Sequence, residues 1–129
     1  MTRVEAREEA LDALYAADAR DLDEIDVATI SARAANLAEG TWTHRDAIDE
    51  AITLASTSWR IERMPAVDRN ILRLGVFELQ YSDLPKAIVI SQAVELAKKF
   101  STAKSGAFVN GVLSAVADID ATPIDVTDT

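Results

Sequence analysis

Apolar residues return at intervals of three and four along nearly the whole chain, while strand-like alternation is weak. That period belongs to amphipathic helices. Six main helices are expected. The first covers Arg3 to Ala19. The second covers residues 25–39 and stops at Gly40, a residue type common just past helix ends. The third starts near Thr43, whose hydroxyl can cap, and runs to about residue 63. The fourth starts at Pro65, which suits a first helical turn, and reaches residue 81. The segment "SDLPKAIVI" reads as a connector with a short extended stretch. The fifth helix starts at Ser91, a good N-cap residue, and ends near residue 100. The sixth covers residues 105–119, with Ser105 as its cap. The closing "DATPIDVTDT" is acidic and contains proline, and residues 121–129 are expected to be disordered.

Two of these helices carry unusual positions. At about 100° per residue, Arg69, Arg73 and Gln80 share one narrow stripe of the fourth helix. Apolar side chains take most of the remaining circumference, so this helix is central to its bundle. Glu78 falls inside the apolar arc. A buried carboxylate needs hydrogen-bond partners or a cation, so Glu78 is either a structural acid tying helices together or a general acid or base. No second carboxylate or histidine is spaced to help it in catalysis. In the sixth helix, Phe108, Val112, Ala115, Val116 and Ile119 form one stripe, with Asn110 and Ser114 on the other side. Gly111 lies at the edge of the stripe, where a missing side chain would let another helix come close. Asn110 reads as a helix-to-helix hydrogen bond or a ligand contact, and Phe108 as core or as a stacking platform for a base. In the first helix, Arg3, Arg7, Leu11 and Leu14 fall nearly on one line. The two arginines are either solvated at a frayed start or presented to a phosphate backbone.

Composition narrows the function classes. The 129 residues fit one domain. With no cysteine and a lone histidine, His44, there is no thiolate site and no histidine cluster for a metal or a triad. No apolar run approaches the roughly 20 residues needed to cross a bilayer, and the first fifteen residues hold no signal-peptide core. A cytoplasmic protein without membrane attachment is expected. The net charge of -9 disfavours nucleic acid at first sight. The charge is uneven, however. Residues 60–104 carry eight basic and five acidic side chains, between two acidic ends.

The stretches "MPAVDRNILRLGVFEL" and "LPKAIVISQAVELAKKFSTAKSGAFVNGVL" resemble the NusB family of bacterial transcription antitermination factors, and so does the opening "AREEALDALYAAD". The resemblance runs from Arg3 to about Ala117 and is densest between Pro65 and Leu113. The ordered set D-R-x-I-L-R, A-V-E-L-A-K and F-V-N-G-V-L is specific to it. It implies an all-α helical bundle of six to seven helices in two packed sub-bundles, about 1–63 and 65–120. It implies a function without catalysis and without a cofactor. Family members bind a single-stranded RNA element, boxA, of ribosomal RNA operon leaders. They do so with NusE, a small-subunit ribosomal protein, in a complex that helps RNA polymerase resist termination. Some members form homodimers and others are monomers, and the sequence leaves both open.

Carried over by position, the resemblance assigns RNA phosphates to Arg3 and Arg7 and RNA-facing aromatics to Tyr15 and Phe108. Asn110 is the asparagine of F-V-N-G, and Asp68 matches an acidic position on the NusE-facing side. Lys104, with Lys98 and Lys99, lies near Phe108 in sequence and can supply charge. This is the chemistry that reads single-stranded RNA: cations for phosphates and aromatic faces for bases. One departure stands out. Where the family carries a run of basic residues, this chain reads "MTRVEAREEA", with Val4, Glu5, Glu8 and Glu9 diluting the arginines. Fewer phosphate contacts weaken binding and flatten its salt dependence. The alternative reading is therefore a helical interaction module that binds NusE with little RNA affinity of its own.

Overall fold

The structure is a computed structural model and describes residues 2–121. Among the described residues it contains six α-helices, one turn of 3-10 helix and no strand. The helices are α1 (Arg3–Ala19), α2 (Ala32–Thr43), α3 (Arg45–Ala55), α4 (Ala66–Tyr81), α5 (Lys86–Phe100) and α6 (Ala103–Ala121), with the 3-10 turn at Ile61–Arg63. The expected disorder of 121–129 concerns a tail that, past Ala121, lies outside the described residues.

Helix α4 is the axis of the bundle and packs against all five other helices. Ile71, Leu72, Leu74 and Val76 are fully enclosed, and they meet Leu14 of α1, Ile48 and Ile52 of α3, and Val109, Leu113 and Val116 of α6. Two residues of the polar stripe of α4, Arg69 and Arg73, point inward as well, while Gln80 is exposed. Arg69 donates from Nε and Nη2 to Asp18 Oδ2 of α1, at 2.9 and 2.7 Å. Its Nη1 donates to the carbonyls of Ile61 and Met64, so the 3-10 turn is fastened to α4. Asn70 Nδ2 donates to the same Asp18 oxygen at 2.9 Å. Arg73 makes a two-pronged contact with Asp49 of α3, at 2.8 and 2.9 Å. Removing any one of these groups would strand the others in a medium that solvates charge poorly.

Five boundaries differ from the sequence reading. Helix α2 begins at Ala32, not near residue 25, because Ser31 Oγ accepts from Ala34 N–H and caps it. The preceding segment is irregular. Asp21 is left-handed, at φ 52°, and Asp26 Oδ1 accepts from Ala28 N–H, a local bond that competes with a helical one. Leu22, Ile25, Val27 and Ile30 still pack on the core, which is why their spacing looked helical. Helix α2 also runs through Gly40 to Thr43, and the glycine serves packing there: a Cβ at Gly40 would overlap the ring of Phe77. Helix α3 ends at Ala55, where Ser56 Oγ turns to donate to Trp59 C=O. Helix α5 begins at Lys86, directly after Pro85, so "KAIVI" is helical and not extended. Burial of Val89 there outweighs the weak helix propensity of β-branched residues. The cap of α6 is Thr102, whose Oγ1 accepts from Ser105 N–H.

Gly111 was expected to admit a neighbouring helix. It is exposed instead, and a Cβ there would meet nothing within 4 Å. The close approach belongs to Gly40, beneath a Phe77 ring that stacks on Tyr81 with centroids 5.0 Å apart. The two positions should respond oppositely to alanine. Gly40→Ala should lose roughly 1–3 kcal/mol by overpacking, and Gly111→Ala should gain up to about 1 kcal/mol from helix propensity. Urea unfolding of both variants checks this.

The Asp18 node also sets an acid limit. Burial alone would raise the Asp18 carboxyl, but hydrogen bonds from Arg69 and Asn70, with the charges of Arg73 and Arg69, together hold it below its ordinary 3.8. A carboxylate with a depressed folded-state value contributes stability that is complete above the unfolded value and lost as pH falls through the folded one. Acid titration of unfolding should therefore show stability falling below about pH 4. The loss should be shallower in Asp18→Asn, which should start from a lower stability at neutral pH.

Candidate nucleic-acid interface

Seven residues carry the expectation, and the fold distributes them unevenly. Arg3 stands exposed in the first turn of α1 and has no ion-pair partner among the described residues. Arg7, one turn further, is buried. Its Nε and Nη2 donate to Glu78 Oε1 and Oε2 at 2.7 and 2.8 Å, and both side chains are about 5% exposed. Arg7 is thus neither solvated nor free for a phosphate. The pair spans α1 and α4, and it identifies Glu78 as the acid that ties helices together.

Tyr15 projects from α1 and is 44% exposed. Beside it, Phe100 at the end of α5 lines the same shallow groove together with Leu11 and Val67. Glu8, Glu9 and Asp12 form the groove's acidic rim. Lys99 reaches across from α5 to Glu8, at 2.5 Å, and sits 5.3 Å from the centroid of the Phe100 ring. The sequence reading passed over Phe100 as a surface aromatic. Its signal was its position as the last residue of an amphipathic helix, beside Lys99 and a break at Ser101.

The F-V-N-G segment divides across the surface of α6. Val109 is fully buried, Phe108 is half-buried against the core, and Asn110 and Gly111 are exposed. Asn110 Oδ1 accepts from Ser114 Oγ at 3.3 Å, one turn on, so its amide nitrogen faces outward. Asn110 and Ser114 line a groove with Ser91, Val94 and Lys98 of α5. Lys104, in the first turn of α6, is exposed and has no ion-pair partner among the described residues.

Asp68 is buried, at 4% exposure, in the first turn of α4. Its Oδ2 accepts from Ser105 Oγ at 2.8 Å, and the Ser105 hydroxyl also meets Ser101 and Thr102 at 2.9 and 3.1 Å. The carboxylate thereby organises the α5–α6 corner from within and presents no atom to the surface. A separate cleft of about 500 Å³ lies at the far end of α2, lined by Asp23, Glu24, Glu39 and Asp46 around Trp42, with Arg45 over the Trp42 ring as the opposing charge. Its acidity suits no polyanion.

Among the described residues, no group of acids and histidine is placed to hold a metal ion, and no helix is long and apolar enough to cross a membrane. The free cations, exposed aromatics and outward amide favour binding over reaction chemistry.

Comparison with known proteins agrees with that character. A sequence model of the NusB family matches residues 4–118. The transcription antitermination protein NusB of Anaeromyxobacter dehalogenans is 47% identical over 127 residues, covering 89% of this chain and 89% of the relative. That of Acidothermus cellulolyticus is 45% identical over 124 residues, covering 88% and 86%. The T. maritima NusB structure superposes with a TM-score of 0.77 at 32% identity, covering 92% of each chain. A crystal structure of antitermination factors NusB and NusE in complex with dsRNA superposes at 0.76 and 31%, covering 92% of this chain and 99% of that one.

The Arg7–Glu78 pair offers a direct test of the site's foundation. Arg7→Ala or Glu78→Gln should each destabilise the fold by roughly 3–5 kcal/mol, because each leaves a buried polar or charged group without its partner. The apolar double variant Arg7→Met/Glu78→Met should recover much of that loss. Urea unfolding of the three variants checks the coupling.

Proposed function

This chain belongs to the NusB family, and we propose that it acts in transcription antitermination by binding boxA-type single-stranded RNA together with NusE. The observation that carries this reading is the superposition, over nearly its whole length, on a NusB that was crystallised with NusE and RNA. The surface chemistry supports it. Arg3 and Lys104 are free for phosphates, Tyr15 offers a stacking face, and Asn110 offers an outward amide. Phe108 contributes the open edge of a half-buried ring. Arg7 acts from beneath, fixing the start of α1 through Glu78. Asp68 sets the shape of the α5–α6 corner that NusE would meet, through Ser105.

The protein works in this reading as a cytoplasmic binding partner of the RNA polymerase antitermination complex and not as an enzyme. The chain divides into sub-bundles of about 1–63 and 65–120, with α4 carrying contacts to both. A second reading, a NusE-binding module with little RNA affinity, draws on one observation: three acids surround Tyr15.

Fluorescence anisotropy of labelled boxA RNA, with this protein and NusE at two salt concentrations beside a scrambled RNA, separates the two. The RNA-binding reading expects salt-sensitive binding selective for boxA and strengthened by NusE. A NusE complex that ignores both RNAs would favour the interaction module.

A further inference from the structure

Where the start of α1 meets α2 and the end of α4 there is a cleft of about 350 Å³. Arg3 lines it from α1, Arg33 and Leu37 from α2, and Asp83 from just past α4. The buried Arg7–Glu78 pair lines it from below. That pair is internally neutral, so the charge of the cleft comes from Arg3 and Arg33, opposed by the single carboxylate of Asp83.

Acids outnumber basic residues by twenty-two to thirteen, and the inward-facing guanidiniums are taken: Arg7 by Glu78, Arg69 by Asp18, Arg73 by Asp49. Arg20, Arg45 and Arg63 also lack an ion pair among the described residues, and what sets Arg3 and Arg33 apart is that they line one cleft together. Arg3 and Arg33 make no hydrogen bond or ion pair with any described residue. Two free guanidiniums on different helices share one concave surface, where their mutual repulsion is relieved by an anion between them. Arg33 also lies in the first turn of α2, at the end where the helix dipole favours negative charge. A guanidinium fork matches phosphate oxygens in a bidentate manner.

We propose that Arg33, with Arg3, clasps a backbone phosphate of the bound RNA strand in this cleft. The assignment rests on the RNA-binding reading above and extends it to a second helix. It accounts for the arginine-poor start of α1. One of that helix's two arginines is locked to Glu78, and α2 supplies the second free cation. Asp83 is the opposing charge that limits affinity.

The test uses the full chain with NusE, boxA RNA and a scrambled RNA over a salt series. Arg33 is exposed and unpartnered, so Arg33→Ala should fold normally, with an unchanged thermal midpoint. It should weaken binding of both RNAs by the same factor, because phosphates carry no sequence. It should also flatten the log–log salt slope by about 0.7, the value for one contact to a single strand. Arg33→Lys should keep the slope, and Asp83→Asn should tighten binding at low salt. If the wild-type protein selects boxA while Arg33→Ala leaves affinity and slope untouched, the assignment is overturned and the RNA reading stands. If the wild-type protein binds neither RNA, both fall. If Arg33→Ala weakens NusE capture in the absence of RNA, the cleft takes a protein carboxylate and the phosphate assignment is wrong.

Discussion

The bundle is organised by charge held inside it. Asp18 of α1 receives Arg69 and Asn70 of α4 and lies 3.3 Å from Arg73, which in turn grips Asp49 of α3. Arg69 also holds two carbonyls of the segment that leads into α4. Three helices and a connection are thus linked through two carboxylates that share Arg73. Apolar burial drives the helices together, but it is nearly indifferent to register. A fork of donors aimed at two oxygens is not indifferent. The same rule recurs one turn from the other end of α4, where Glu78 fixes the start of α1 through Arg7. The angle and depth of α1 are therefore set at two points along α4.

That arrangement connects the fold to the proposed binding surface. The turn carrying Arg3 precedes the Arg7 anchor by one helical repeat, so the free guanidinium stands on a clamped base and not on a loose end. At the opposite side, Asp68 holds the Ser105 hydroxyl, which in turn meets those of Ser101 and Thr102, and so fixes where α6 begins. Lys104, Phe108 and Asn110 inherit their positions from that corner. Buried side chains do the positioning in both places, while Arg3, Lys104 and Asn110 stay exposed and available for contact.

Much of this was legible in the chain. The boundaries of α1 and the centrality of α4 followed from apolar spacing alone, and Glu78 announced itself as an acid in an apolar arc. Other features needed the third dimension. Residues 22–30 bury apolar side chains at helix-like intervals while Asp26 satisfies a backbone N–H locally, and periodicity cannot separate that from a helix. Gly40 looked like a stop signal because only its distant neighbour Phe77 explains it. Arg7 and Arg3 share a stripe and a residue type, yet one faces Glu78, 71 positions away in sequence, and the other faces solvent. Helical spacing predicts which side chains share a face and leaves open what that face meets.

The few free cations lie on a molecule whose overall charge is strongly negative. That contrast shapes the kinetics of any encounter with a polyanion. From beyond a Debye length the approaching strand senses the net field, which repels it and slows arrival at low ionic strength. Only at contact do the local guanidiniums and ammonium groups prevail. Added salt therefore acts on the two halves of the process in opposite senses, easing approach while shortening residence. Discrimination between strands would reside in how long each one stays and not in how quickly it is found.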